Sequence, residues 1–67
     1  MNNDVKKFLE AHWEIKEALK TVPLDLSHSD RWGYIYDLIF DEFHIPHADL
    51  PEGLITTLTE LSEEGRL

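Results

Sequence analysis

His44, His47 and Asp49 form the pattern H-x-x-H-x-D within a chain of 67 residues. Two imidazoles and a carboxylate are a ligand set that zinc accepts, with Glu42 or His28 as a fourth group. The spacing matches no zinc signature, and a loop need not bring its side chains together. These residues are weak candidates, and neither a metal nor a cofactor is expected. Ser27, His28 and Asp30 have the composition of a catalytic triad. Neighbours in one loop do not easily reach the relay geometry that a triad needs. No glycine-rich phosphate loop is present. No pair of acids is marked for the burial that tunes a general acid. The chain is not expected to be an enzyme.

A different chemistry is written in RWGYIYDLIFDEFH, residues 31–44, which holds five of the seven aromatic residues. On a helical wheel Trp32, Ile35, Tyr36, Ile39, Phe40 and Phe43 fall in a wide arc centred on Phe43, the expected core face. Tyr34 and Leu38 fall on the opposite side beside Asp37 and Asp41. Tyr34, Asp37, Leu38 and Asp41 follow the i, i+3, i+4, i+7 spacing with which one helix face meets a partner. Tyrosine is enriched at interface hot spots, where the ring packs and the hydroxyl bonds. Gly33 in the first turn suggests close approach of another backbone segment, such as the TVPLDL loop, with room for a partner as the alternative.

HSDRWGYIYDLIFDEFHIP is similar to the segment of acyl carrier proteins in which a serine opens a long acidic helix and carries a phosphopantetheine arm. Ser29 stands in the place of the carrier serine, and DEFHIP resembles the ending of that helix. The resemblance covers less than a third of the chain. His28, Ser29 and Asp30 replace the family's Asp-Ser-Leu, and the preceding loop is much shorter. Attachment of the arm is not expected.

Three helices must position these residues. Residues 4–20 carry Val5, Phe8, Leu9, His12, Ile15 and Leu19 at three- and four-residue steps, so they read as one amphipathic helix capped by Asn3 or Asp4. His12 is expected in the core with one nitrogen hydrogen-bonded. Trp13 lies at the edge of the stripe. Lys16 lies within it, its methylene stem over the core. Pro23 ends the segment, and Leu24 and Leu26 are expected to plug the core from the following loop. Ser27 or Ser29 caps a second helix over about 30–43. Pro46 ends that one. A third helix spans about 51–63, with Leu54, Ile55, Leu58 and Leu61 as its stripe and Gly65 as its left-handed terminator. The expected fold is an all-α, compact three-helix bundle, a single helical domain over residues 1–67.

Composition narrows the function. A chain this short buries only about 60% of the surface that its unfolded form exposes, which leaves little room for a cleft. Cysteine is absent, which fits a reducing cytoplasm better than an oxidising space. No apolar run is long enough for a membrane span, and no signal peptide is recognisable. The net charge is −8. Residues 1–20 balance, whereas residues 21–67 carry ten acids against Arg31 and Arg66. Direct nucleic-acid binding is disfavoured, since phosphate contacts need a positive surface. The pattern points to a small cytoplasmic protein-binding module of the inhibitor, antitoxin or anti-host kind. It would dock on a basic protein through the Tyr34–Asp41 strip, with its acids able to imitate nucleic-acid phosphates. The alternative is self-assembly, a homodimer through the second helix.

Overall fold

The computed structural model describes residues 2–67. It is all-helical, with α1 over Asn3–Ala11, α2 over Trp13–Leu19, α3 over His28–Phe43 and α4 over Leu54–Glu63. A single 3-10 turn at His47–Asp49 lies between α3 and α4. Among the described residues no strand is present, and no helix is long and apolar enough to cross a membrane.

The expected first helix is broken at His12, whose backbone leaves helical angles at φ −126°, ψ 52°. The spacing of the apolar residues supplies the reason. At 100° per residue, the Val5/Leu9 pair and the Ile15/Leu19 pair of a straight helix would point about 80° apart. The break turns α2 so that all four enter one core, each no more than 6% exposed. The price is small, because the His12 N–H still donates to Phe8 O at 2.9 Å, and His12 O accepts from Ile15 N–H at 3.0 Å. Asn2, rather than Asn3 or Asp4, caps α1, its Oδ1 accepting from the Val5 N–H at 2.8 Å.

The second expected helix is α3, capped by Ser27, whose Oγ accepts from the Asp30 N–H at 3.2 Å. It ends on His44 in the left-handed region at φ 56°, a conformation uncommon outside glycine. The third is α4. It begins three residues later than expected, because Gly53 at φ 81° turns the chain after Pro51 and occupies the cap. Gly65, at φ 70°, terminates it as the sequence predicts. The Arg66 N–H donates to Leu61 O at 2.9 Å and the Gly65 N–H to Ser62 O at 3.2 Å, the two bonds of a Schellman motif.

One core draws on all four helices: Val5, Leu9, Ile15, Leu19, Val22, Ile35, Ile39, Leu54, Ile55 and Leu58. Thr59 is buried with them, its hydroxyl donating to Ile55 O at 2.8 Å. The α3–α4 pairing is the most extensive. Gly33 packs against nothing, since a Cβ built there meets no atom within 4 Å. The expected close approach is absent.

Arg31 joins this core at 4% exposure, although arginine is almost never fully buried unpaired. Among the described residues no carboxylate pairs with it. Instead Nη1 donates to Pro23 O at 3.3 Å and Ser62 Oγ at 3.0 Å, and Nη2 donates to Leu24 O at 3.0 Å and Leu26 O at 3.1 Å. The guanidinium ties the α2–α3 loop to α3 and to the end of α4. Loop carbonyls turned inward to Arg31 leave Leu24 outside, 90% exposed, while Leu26 packs half-buried on the core. The expectation that both leucines plug the core holds for Leu26 alone.

Candidate functional site

The buried ridge of α3 is Arg31, Ile35 and Ile39, at four-residue steps. It is displaced by about 80° from the arc centred on Phe43, because Arg31 takes a place inside. The displacement has two consequences. Phe40, expected in the core, is 55% exposed, one residue past Ile39 and so about 100° round the helix from it. Leu38, expected on the spare face, sits half-buried against the core edge.

Tyr34, Asp37, Leu38 and Asp41 do share a surface. Together with Glu42 they line one shallow concavity formed entirely by α3. Tyr34 is 41% exposed, and all three acids are exposed. Among the described residues none of those carboxylates has a cationic partner. The face thus runs from an apolar inner edge at Leu38, through the Tyr34 ring, to an acidic outer edge. Glu42 belongs to it because α3 outlasts the core there. Its i+4 relation to Leu38 was the available signal.

The weak metal candidates His44, His47 and Asp49 do not converge. Among the described residues no group of three or more His, Asp or Glu side chains could hold a metal ion. His47 tilts against Tyr36 with ring centroids 5.1 Å apart, and Tyr36 stacks on Trp32 at 5.5 Å. His44 is exposed at the end of α3, and Asp49 is exposed at the end of the 3-10 turn. Ser27, His28 and Asp30 form no relay either. The Ser27 hydroxyl is spent on the cap, and His28 Nδ1 lies 2.6 Å from Glu63 Oε1, a tie between the start of α3 and the end of α4. His12 is half-buried at the helix break rather than in the core. Its ring is tilted on Phe8 at 4.5 Å, and Nδ1 lies 3.9 Å from Glu14 Oε1.

A second surface feature had only a weak signal. Trp13, at the edge of the apolar stripe, is 65% exposed. It lines a shallow groove with Lys6, Leu9, Glu10 and Lys16.

No protein-family model matches this chain, and no curated protein or solved structure gives a significant match.

Proposed function

We propose that this chain is a small acidic protein-binding module that docks on a basic partner protein through the α3 face. The carrying observation is the concavity lined by Tyr34, Asp37, Leu38, Asp41 and Glu42. An exposed aromatic ring, an apolar edge and three unpaired acids occupy one helix face. Tyrosine and leucine supply the part of such a contact that gains from losing water. The carboxylates steer encounter and select a partner of opposite charge. The net charge of −8 extends that steering beyond the site. Inhibitors and antitoxins share this physical profile, and a target that itself grips nucleic acid would meet the acids where it meets phosphates. The reading assigns no catalysis to the chain.

Affinity capture from a lysate of the source cell, at low and high salt, tests the proposal. Wild-type bait should retain a basic protein at low salt and release it at high salt. Tyr34→Ala/Leu38→Ser bait should lose it. Asp37→Asn/Asp41→Asn, which disturbs no buried residue, should weaken retention at low salt. Unchanged capture by both folded double variants would refute docking through α3.

A further inference from the structure

The groove around Trp13 and the α3 face have matching formats. Lys6, Leu9, Glu10, Trp13 and Lys16 recur at three- and four-residue steps along α1 and α2, as Tyr34, Asp37, Leu38 and Asp41 do along α3. Each face has an apolar centre flanked by charge: two lysines and Glu10 around Trp13, and three acids around Tyr34. Lys6 and Lys16 flank Trp13, and among the described residues neither has a carboxylate within 4.0 Å. Lys20, by contrast, is paired with Glu17 at 3.2 Å. The groove spans the break at His12. Leu9 turns into the core before the break, and Trp13 opens α2 after it.

A two-fold contact of α3 on α3 would bring Asp37, Asp41 and Glu42 against their own copies, and like charges in apposition are costly. A contact of α3 on the Trp13 groove opposes two lysines, and a single acid, Glu10, to those carboxylates. It seats Tyr34 and the exposed edge of Leu38 on Trp13, and it sets Asp37 and Asp41 toward Lys6 and Lys16. We propose that the occupant of the Trp13 groove is the α3 face of a second copy of this chain. The proposal rests on the reading of α3 as a docking surface and names one partner for it. Made reciprocally, the contact closes at two copies; made once per pair, it continues to further copies. Either way it covers the α3 face, so a foreign basic protein competes with self-association. Five lining residues on each face, against about 20–30 a side in a standard interface, place the contact among weak, transient associations.

The test is mass by sedimentation equilibrium at about 0.1 M salt, where a Debye length of about 10 Å screens the long-range repulsion between two acidic copies but not contacts inside the interface. Concentrations up to about 1 mM span the range of weak interfaces. Wild type should rise above 7.9 kDa as concentration increases. Trp13→Ser, Lys6→Glu/Lys16→Glu and Asp37→Lys/Asp41→Lys should each remain at the monomer mass. An equimolar mixture of the last two should associate again, because each then offers the charge that the other's changed face requires. The aspartate variant also discards half of the net −8 charge, so its loss of association could not come from general repulsion. A wild type that stays monomeric throughout, or a mixture that fails to associate, overturns the proposal and leaves capture of a foreign protein by α3 standing. Association abolished by the α3 variant but untouched by the groove variants overturns it in favour of a face-to-face dimer. Association that survives every variant overturns both the groove and the α3 face as its seat.

Discussion

Replacing Arg31 with methionine removes a buried guanidinium while keeping much of its hydrocarbon volume. Four acceptors lose their donor: Pro23 O, Leu24 O, Leu26 O and Ser62 Oγ, at 3.0–3.3 Å. Hydrogen bonds to a charged group contribute at least about 1.5 kcal/mol each, a gross loss of roughly 6 kcal/mol. Methionine also escapes the desolvation of a buried ion, which costs several kcal/mol. The Nε, buried without a partner, raises that cost in the wild type. The expected net destabilisation is about 2–3 kcal/mol. A chain of this length has a total stability of roughly 3–10 kcal/mol, so the variant should be visibly marginal. Urea unfolding followed by far-ultraviolet circular dichroism reads the change. With a slope of about 1 kcal/mol/M, the midpoint should fall by roughly 2 M. Arg66→Met serves as control, because Arg66 is exposed and pairs only with Glu64 at 3.2 Å; it should move stability by less than about 0.5 kcal/mol. Arg31→Lys should also destabilise, since an ammonium lacks the planar fork that reaches both sides of the loop. An Arg31→Met protein as stable as wild type, or more so, would refute the claim that the clamp holds the loop at net gain.

Ile39→Ala, at a position with no exposed surface, should cost about 2–5 kcal/mol by thermal or urea unfolding. Gly33→Ala should stabilise the protein by about 0.5–1 kcal/mol, because the site is helical and open and alanine restricts the unfolded chain. A destabilised Gly33→Ala would reveal a contact at α3 that the geometry does not contain. His28→Ala should cost less than about 1 kcal/mol, since both partners of the His28–Glu63 pair are substantially exposed.

What the sequence made legible was local. The Ser27 cap, the stops at Pro23 and Pro46 and the left-handed Gly65 each depend on a few neighbouring residues, and each lies where expected. The break at His12 was written in the same stretch, in the six-residue step from Leu9 to Ile15, but a stripe that admits Phe8 and His12 conceals it. Arg31 was illegible for another reason. Its burial depends on carbonyls eight, seven and five residues upstream and on Ser62 from another helix. No periodicity announces such a convergence. Once Arg31 is inside, the four-residue ridge to Ile35 and Ile39 follows. The exposure of Phe40 and the half-burial of Leu38 follow with it. The Tyr34–Asp41 strip was legible because it needs only a helix. Its acidic extension at Glu42 depended on where the core stops.

If α3 docks as proposed, the arrangement across it predicts different kinetic roles for its residues. Leu38 lies against the core edge, Tyr34 beside it, and Asp37 and Asp41 are exposed farther round the helix. In the proposed complex the first two would be desolvated and the acids would remain near the rim. Rim charges act mainly on encounter, whereas desolvated anchors act on dissociation. Asp37→Asn/Asp41→Asn should therefore slow association by about tenfold at low salt, with the difference vanishing at high salt as the Debye length shortens. Tyr34→Ala should leave association nearly unchanged and speed dissociation by about tenfold or more, the cost of a hot-spot side chain above about 1.4 kcal/mol. Stopped-flow or surface-based kinetics with the captured partner separates the two. If the aspartate variant instead acts on dissociation and keeps its effect at high salt, the carboxylates are buried in the complex, and the contact is centred on the acids rather than on Tyr34.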